Sequence, residues 1–428
     1  MKKFLALIIA LVMALSLVAC GEQKQPDNPD VPDDGQQTAT VKVGFITLHD
    51  ENSTYDLNFI NAAKEAIANL GLTDADYILK TNVPEGQECY ETAMNLVDEG
   101  CNIIFADSFG HEPYMIDAAK EHPEVQFCHS TGNRAHTEGL ANYHNAFASI
   151  YEGRYLAGIA AGLKLNEMIE AGKFTADEAK MGYVGAFTYA EVVSGYTSFF
   201  LGARSVCPTV TMDVTFTGSW YDEALEKEGA QLLIDKGCKL ISQHADSLGA
   251  PTACENAGVP NVSYNGSTQD ACPNTYIISS RINWAPYYEM CIKAVMDGTE
   301  IPADWVGTLA TNSVVLTDLN TNVAAAGTAE AIAAATEKLE KGEIHVFDCA
   351  NFTTKVDDKV NTFKADYLKL DEAGHITSYL ADVDTDAAYA GDTEVIKDGY
   401  FAESEFRSAP YFDLQIDGIN LLDTNFGG

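Results

Sequence analysis

Loops rich in aromatic, acidic and hydroxyl side chains follow the predicted strands of this chain. They are the segments 50–55, 107–110, 130–132, 187–189, 218–221, 245–247 and 265–267. Ligands of open parallel sheets bind outside the carboxyl ends of the strands, so these loops are the expected site. They carry almost no positive charge, and Arg134 is the main exception nearby. Such a surface favours a neutral or weakly cationic solute with flat faces and hydrogen-bonding edges, such as a sugar, a nucleoside or a nucleobase.

Motifs of well-known catalytic sites are absent from the sequence. There is no GxGxxG, P-loop lysine, GxSxG or HExxH, and no histidine has another histidine four residues away. His129 and His244 end predicted strands beside Ser130 and Asp246. There, a metal-binding or general-base role competes with a hydrogen-bonded structural role in or near a cleft. We expect no catalytic residue, no metal and no cofactor, so the chain is not predicted to be an enzyme.

The elements that position these loops form two successive series of alternating strands and helices. Strands of the first series are predicted at 41–48, 76–80, 102–106 and 125–129. An amphipathic segment at 146–163 precedes the second series, whose strands are predicted at 180–186, 211–217, 239–244 and 261–264. Strands separated by helices indicate right-handed crossovers and a parallel sheet. The pattern predicts an α/β protein with two lobes of one design.

Length and charge limit the function further. The 428 residues include 63 acidic and 26 basic side chains, which gives a formal net charge of −37. Nucleic acid is an unsuitable partner for such a chain, because its phosphates are bound by lysine and arginine. A chain of this length is typical of two domains or lobes, at about 150 residues per domain.

The amino terminus predicts export and attachment to a membrane. Residues 1–19 have a basic start, an apolar run and small residues, as a secretory signal does. Leu17 to Cys20 looks like a bacterial lipobox, in which cleavage leaves the Cys20 thiol for lipid attachment; the alternative is an ordinary signal beside an incidental cysteine. The polar segment 20–40 then predicts an extended, disordered tether.

Nine further cysteines follow Cys20, none of them in a CxxC motif. An odd number in an exported chain leaves at least one thiol unpaired. Buried free thiols are one interpretation and one or more disulfides the other, with Cys254 and Cys272 as the closest flanking pair.

Several segments resemble those of a known family. They are IFADSFG at 104–110, IYEGRYLAG at 150–158, KMGYV at 180–184, FLGARSV at 200–206, SWYD at 219–222, QHADS at 243–247 and NWAPYY at 283–288. In this order they are similar to the basic membrane protein (BMP) lipoproteins. These are substrate-binding components of ABC importers, and they include purine nucleoside receptors. The resemblance extends over roughly residues 41–315.

The resemblance implies the type I periplasmic-binding-protein fold, an α/β fold with two Rossmann-like lobes joined by a three-strand hinge. It places the first lobe at 41–145 and the second at 146–280. Residues 281–428 return to the first lobe, complete the hinge crossings and supply a carboxyl-terminal region shared between the lobes. The ligand is expected between the lobes.

The resemblance also implies site residues. Tyr55 and Trp220 match the aromatic pair that holds a purine, although packing within each lobe is the alternative for both. Ser108 and Phe109 are expected to line the same cleft. Asp246 matches an acidic position that accepts hydrogen bonds from a base or a ribose, and its alternative is a cap for the helix that follows.

Three positions bear on whether the expected solute is a purine base or a nucleoside. Asn52 stands where the family commonly has an aspartate that contacts the base, and Asn283 where nucleoside-binding relatives place a lysine. The pair Asn283 and Trp284 and the QHADS segment look more like the branch linked to free purine bases such as adenine, which is slightly favoured. Glu152, Arg154 and Glu191 are either cleft residues or partners in salt bridges between the lobes.

Together, these features predict a lipid-anchored, extracytoplasmic receptor that delivers a purine nucleobase or nucleoside to an ABC permease. Two other classes stay open: a receptor of the same fold that binds a sugar or signal molecule for a membrane sensor, and an extracellular enzyme acting on nucleosides.

Overall fold

A computed structural model describes residues 40–383, 391 and 393–423. The predicted signal peptide, Cys20 and all of the predicted tether except Thr40 lie outside the described residues. The residues that are described belong to one compact unit and are arranged around two large sheets, which define a first and a second lobe.

We number the elements of the described residues along the chain. The strands are β1 Val43–Ile46, β2 Tyr77–Lys80, β3 Ile103–Ala106, β4 Gln126–Ser130, β5 Tyr143–Ala148, β6 Lys180–Gly185, β7 Thr211–Phe216, β8 Leu240–His244, β9 Asn261–Tyr264, β10 Tyr276–Ile282, β11 Asp304–Gly307, β12 Val314–Leu316, β13 Leu368–Leu370, β14 Ile376–Ala381, β15 Thr393–Glu394, β16 Ile396–Lys397, β17 Tyr400–Phe401 and β18 Ile419–Leu421. The helices are α1 Thr54–Asn69, α2 Gln87–Asp98, α3 Glu112–Glu121, α4 Ala135–Glu138, α5 Ile150–Glu170, α6 Ala190–Val206, α7 Glu223–Asp235, α8 Gly249–Ala257, α9 Ala285–Asp297 and α10 Thr328–Glu340.

The first lobe is built on a six-stranded sheet in the order β11-β5-β4-β3-β1-β2, with every neighbouring pair parallel. β1 and β3 are entirely buried, as expected of strands covered by helices on both faces. One face packs against α1 and α9 and the other against α2 and α3. The predicted parallel α/β arrangement is confirmed here.

The second lobe has a seven-stranded sheet in the order β12-β10-β9-β8-β6-β7-β18. Its pairs are parallel except for β10 with β12, which is antiparallel. The chain passes between the two sheets three times, after β5, after β10 and before β12. At these crossings the Ser149 N–H donates to the Gly307 carbonyl (2.8 Å) and the Asn283 N–H to the Ser313 carbonyl (2.7 Å), so the crossing segments are tied side by side.

Close packing of α5 on α6 depends on glycine. A Cβ at Gly158 would lie 2.1 Å from the Phe199 carbonyl oxygen, and one at Gly202 would lie 2.0 Å from the Tyr155 carbonyl oxygen. These contacts are to backbone, which cannot move aside, so only glycine permits the two helices to approach this closely. None of the described helices has both the length and the apolar character needed to cross a membrane.

The predicted amphipathic segment at 146–163 begins within strand β5. Residues 146–148 belong to this strand, which pairs with β4 and β11, and the helix α5 begins only at Ile150. The first sheet therefore continues past the predicted limit of the first lobe at residue 145. The strand was missed because its sequence, YHNAFA, is half polar although all six residues are buried.

The carboxyl-terminal region packs mainly on the second lobe. Its buried residues, among them Phe347, Phe401 and Phe412, join the same hydrophobic cluster as α5 and α6. β18 adds a parallel strand to the second sheet beside β7. The region also reaches the first lobe, where the Ser408 N–H donates to the carboxylate of Asp304 (2.6 Å).

All nine cysteines of the described residues are buried free thiols. This supports the first of the two interpretations from sequence. Cys254 and Cys272 form no disulfide, and burial raises the pKa of the Cys272 thiol to about 11. A thiol held in its neutral form behaves as a small apolar side chain.

Candidate functional site

A cavity lies between the two lobes, at the carboxyl ends of their strands. Its lining encloses about 370 Å³ of space free of protein atoms, which includes space open to solvent. No lysine or arginine occurs among the described residues that line it. The lining consists of Leu48, His49, Tyr55, Asp56, Ser108, Phe109 and Thr131 from the first lobe, and Glu191, Trp220, His244, Asp246, Tyr264 and Asn265 from the second.

The amino-terminal end of α1 brings Tyr55 and Asp56 to the cavity. Ser53 caps the helix, with its hydroxyl oxygen accepting from the Asp56 N–H (3.2 Å) and its O–H donating to the Asp56 carboxylate (2.5 Å). The His49 N–H donates to the same carboxylate (2.8 Å). The Tyr55 hydroxyl donates to the Asp107 carbonyl (2.6 Å), which fixes the ring at the end of β3.

Asp107, whose carbonyl accepts the hydrogen bond from Tyr55, also carries a buried carboxyl group. Its Oδ1 accepts from the Leu48 N–H (3.1 Å), and its Oδ2 has no partner among the described residues. Burial and, after it, the charge of Asp56 raise the pKa of Asp107 well above its usual range. The side chain is thus favoured in its neutral form.

Ser108 and Phe109 reach the cavity from the segment after β3. The Ser108 hydroxyl donates to the Glu85 carboxylate (2.5 Å). The ring of Phe109 lies 5.1 Å from the ring of Tyr189 in the second lobe, so these two side chains join the lobes directly.

Trp220 belongs to an aromatic cluster on the second lobe. Its ring meets Phe187 edge-on at 5.0 Å and lies 6.0 Å from Tyr189. The side chain is half-buried, borders the cavity and also packs against the core of the second lobe. Trp220 therefore both borders the cavity and packs within its lobe, and its stacking on a solute stays a prediction.

Asp246 contributes to the cavity and to the contact between the lobes. Its backbone carbonyl accepts from the N–H (3.0 Å) and the hydroxyl (3.2 Å) of Thr54 on the first lobe. Burial, followed by the charges of Asp56 and Glu226, raises the pKa of its carboxyl group well above the usual range. Asp246 is not the cap of α8, whose cap position is Leu248.

Glu152, Arg154 and Glu191 were predicted to be either cleft residues or partners in salt bridges between the lobes. Of these three, Glu191 lines the cavity. Its Oε1 lies 3.4 Å from Nε2 of His244, whose pKa is lowered by burial. Arg154 is instead fully buried within the second lobe. Glu152 lies beside the first crossing segment and accepts a hydrogen bond from Ser149 (2.6 Å).

Two unpartnered polar atoms at the cavity belong to residues absent from the prediction. The Thr131 hydroxyl and the Asn265 Nδ2 are buried and have no described partner. Both residues have positive φ angles, +79° and +63°, directly after β4 and β9. Their position at strand ends was the available signal, because their loops had been identified although these residues had not been selected.

The structure does not bring Asn52, Asn283 and Trp284 to the cavity. Asn52 is exposed, and its side chain bonds Asp50 (2.8 Å). The Asn283 side chain donates to the carbonyl of Asn312 (3.1 Å) and so ties two crossing segments. Trp284 is 1% exposed and stacks on Phe59 at 4.6 Å in the core of the first lobe.

The expectation for these three residues is corrected accordingly. The loop after β1 turns Asn52 outward, and the neighbouring carboxylate that does face the cavity is Asp56. Over the residues that the structure describes, no cluster of three His, Cys, Asp or Glu side chains could hold a metal ion.

The two-lobed topology and the cleft agree with what the sequence matches. The sequence profile of the Bmp family, described as ABC transporter substrate-binding protein PnrA-like, matches residues 45–346. The chain belongs to the Bmp family. The resemblance first suggested by the segments from residue 104 to residue 288 is thereby confirmed.

Named relatives of this Bmp-family chain differ in their solutes. A purine-binding protein of Brucella abortus is 32% identical over 60% of this chain and 70% of its own length. A protein of Haloferax volcanii with the provisional name of an ABC transporter glucose-binding protein is 32% identical over 60% of this chain, which spans 62% of that relative. The nucleoside-binding protein BmpA of Lactococcus lactis is 23% identical over 58% of this chain and 67% of its own.

Solved structures confirm the fold class. An ABC transporter solute-binding protein from Aeropyrum pernix matches 74% of this Bmp-family chain and 94% of its own with a TM-score of 0.60 and 18% identity. One from Conexibacter woesei matches 71% and 98% with a TM-score of 0.58 and 20% identity. At these identities the likeness concerns the fold alone, and the predicted type I periplasmic-binding-protein architecture is confirmed.

Proposed function

We propose that the protein is a lipid-anchored receptor on the extracytoplasmic face of the cell membrane. It encloses a purine nucleobase or nucleoside between its lobes and delivers it to the permease of an ABC importer. No bond of the solute is made or broken. Of the sequence-predicted residues, Tyr55, Ser108, Phe109, Trp220 and Asp246 are retained as solute contacts.

One observation carries this proposal: the cavity joins aromatic rings from both lobes to carboxyl groups, without a cationic side chain among its described lining. Aromatic faces suit a planar heterocycle, and acidic oxygens suit its N–H and amine edges. Anionic solutes are disfavoured, because phosphate and carboxylate groups are normally bound by arginine, lysine or arrays of backbone N–H groups. The names of the Brucella and Lactococcus relatives point to the same class of solute.

Contacts between the lobes support a mechanism of closure around the solute. Thr54 bonds the backbone of Asp246, Phe109 packs on Tyr189, and the ring of His49 lies 5.4 Å from that of Tyr221. These contacts surround the cavity and would exclude water. Hydrogen bonds to the solute are stronger in such an environment, and the contacts form a surface that a permease could distinguish from the open receptor.

A panel of solutes tests the proposal. Purified protein should bind adenine, hypoxanthine or their nucleosides in calorimetry, and native mass spectrometry should identify a purine among copurifying small molecules. Quenching of tryptophan fluorescence on binding would place the solute near a tryptophan. Loss of this quenching in a Trp220→Phe variant would attribute it to Trp220. Binding of no purine base or nucleoside at millimolar concentration would contradict the proposal. Conversion of inosine or adenosine to product would instead support an enzyme.

A sugar is the second candidate solute. The provisional name of the Haloferax relative favours it, and rings and carboxylates also bind sugar faces and hydroxyl pairs. Glucose and galactose therefore belong in the same panel. Micromolar binding of a sugar together with no response to purines would select this alternative.

Lipid attachment is predicted for Cys20, which lies outside the described residues. Replacing Cys20 with serine should remove labelling by a radioactive fatty acid and release the protein from the membrane fraction. A matched Cys101→Ser variant should stay labelled, because Cys101 is a buried thiol of the folded lobe. Unchanged labelling of the Cys20 variant would contradict the anchor.

A further inference from the structure

A buried arginine begins a line of polar contacts that ends at the cavity. Arg154 is fully buried, and its guanidinium donates to the Ser263 carbonyl (3.2 Å), the Ser242 hydroxyl (2.8 Å) and the Tyr183 hydroxyl (3.1 Å). None of these three partners is a carboxylate. The cation lies instead among aromatic rings, the nearest being Phe199 at 4.8 Å.

The line continues from Tyr183 to the cavity wall. The Tyr183 hydroxyl lies 3.5 Å from Nδ1 of His244, and Nε2 of His244 lies 3.4 Å from Oε1 of Glu191. Both distances are longer than the usual 2.7–3.2 Å of a strong hydrogen bond. Of these four groups, His244 and Glu191 border the cavity directly.

Arg154 and Glu191, at the two ends of this line of contacts, determine which group donates in each hydrogen bond along it. Arginine can only donate and an ionised carboxylate can only accept. Since Arg154 donates to the Tyr183 oxygen, the tyrosine proton is free to point at Nδ1 of His244. The proton of the neutral imidazole then lies on Nε2, where it faces the carboxylate of Glu191.

The opposite tautomer would leave two groups unsatisfied. With its proton on Nδ1, His244 would point a donor at the Tyr183 hydroxyl and leave the tyrosine proton without its acceptor. Its Nε2 lone pair would at the same time face the Glu191 carboxylate. Unsatisfied buried polar groups are costly, so the first arrangement is preferred.

A glycine provides the space for this imidazole. A Cβ at Gly195 on α6 would lie 2.7 Å from Nδ1 of His244 and 3.6 Å from the Tyr183 hydroxyl. Contacts under 3.0 Å are not tolerated without movement, so any larger residue would displace the ring from Tyr183. The geometry of the contact between His244 and Tyr183 thus also depends on Gly195.

We propose that Tyr183, oriented by Arg154, is a positioning residue that fixes His244 as the Nε2–H tautomer and thereby holds Glu191 as a hydrogen-bond acceptor toward the solute. Oε1 of Glu191 takes the imidazole N–H, and its second oxygen remains for a donor such as an amine or a ring N–H. Specificity for solutes with a donor edge follows. This effect on affinity rests on the proposed function, whereas the tautomer does not.

Nitrogen NMR of the full chain with ¹⁵N-labelled histidine tests the tautomer in the solute-free protein, with His244→Gln used to assign the signals. In the wild type, Nε2 of His244 should carry the proton and Nδ1 should not. Tyr183→Phe keeps the ring and removes the hydroxyl, so His244 should become a mixture of tautomers. Tyr196→Phe removes a buried hydroxyl from the same core and should leave the His244 signals unchanged.

Affinity for adenine supplies the second measurement. Tyr183→Phe should weaken binding by about threefold to tenfold, the effect of disturbing one hydrogen bond, and Tyr196→Phe should not. Gly195→Ala should reproduce both the spectral change and the loss. A wild-type His244 protonated on Nδ1, or a Tyr183→Phe spectrum identical to wild type, would overturn the proposal. If no purine base or nucleoside binds, the proposed function fails while the NMR result still decides the tautomer.

Discussion

Replacing Trp220 with alanine should weaken binding of a purine by about 1–3 kcal/mol, or roughly 5- to 150-fold in Kd. This is the range for losing one stack between a base and an aromatic ring. The indole borders the cavity on the second lobe, braced by Phe187 and Tyr189. Isothermal titration calorimetry with the purine that binds best to wild-type protein measures the effect.

Two control variants separate stacking from folding. Trp220→Phe retains a ring and should keep most of the affinity. Trp305→Ala removes an indole that stacks on Tyr287 in the first lobe at 5.2 Å, outside the cavity lining, and should leave Kd nearly unchanged. Equal affinities for wild type and Trp220→Ala, with both proteins folded by circular dichroism, would assign Trp220 to core packing alone.

Asp246→Asn should weaken binding by about 1.5–3 kcal/mol, the range for a hydrogen bond to a charged group. The amide has nearly the same shape and leaves the backbone contact with Thr54 intact. It removes one acceptor and directs an N–H₂ group toward the donor edge of the solute. Asp270→Asn makes the same substitution on the exposed surface of the same lobe and should have no effect on Kd.

The pH dependence of binding follows from the raised pKa of Asp246. In the empty protein, burial and then the charges of Asp56, Glu226 and Glu191 favour the neutral acid. A donor on the solute stabilises the carboxylate, so binding should lower this pKa and release a proton. Affinity should therefore rise as the pH increases from the usual pKa range of an aspartic acid toward the raised pKa of Asp246 in the empty protein.

Calorimetry in two buffers of different ionisation enthalpy detects that proton. Wild-type protein should release a fraction of a proton per solute bound, and Asp246→Asn should release less. The same dependence of Kd on pH in both proteins would show that Asp246 does not accept a bond from the solute. The Asp270→Asn control should behave like wild type.

The sequence predicted the strands that are apolar throughout. VGFI in β1 and IIFA in β3 are completely buried between helices, so their pattern alone indicates parallel strands. β5 could not be recognised in the same way, because His144 and Asn145 interrupt its apolar pattern. Their polar groups are satisfied by partners distant in sequence, among them the Pro302 carbonyl (3.0 Å) and Gln126 (2.8 Å) for His144.

The predicted site residues, like the strands, divide into those that the structure brings to the expected place and those that it does not. Ser108, Phe109, Trp220 and Asp246 lie in segments that follow strands, and Tyr55 lies in the first turn of the helix after β1. Such positions meet at one edge of a parallel sheet. Whether each binds the solute remains a prediction.

The neighbours Asn283 and Trp284 show what the sequence could not decide. They follow one strand directly, yet Trp284 enters the core beside Phe59 while Asn283 ties the crossing segments. Which of two adjacent side chains faces a cleft depends on how the chain leaves the strand and on what covers it.

By itself, the sequence predicted an export signal and determined the acidic composition, the two βα series and the family, because each of these depends on local composition or on ordered segments. Tertiary structure alone decided the contacts of His244 with Tyr183 and Glu191, the burial of Arg154 and the exposure of Asn52. The first two depend on contacts between residues far apart in the chain, such as Arg154 and Tyr183, which are 29 positions apart, and Tyr183 and His244, which are 61 positions apart. Local sequence carries no record of such distances, since folding sets them only when the sheets and helices pack.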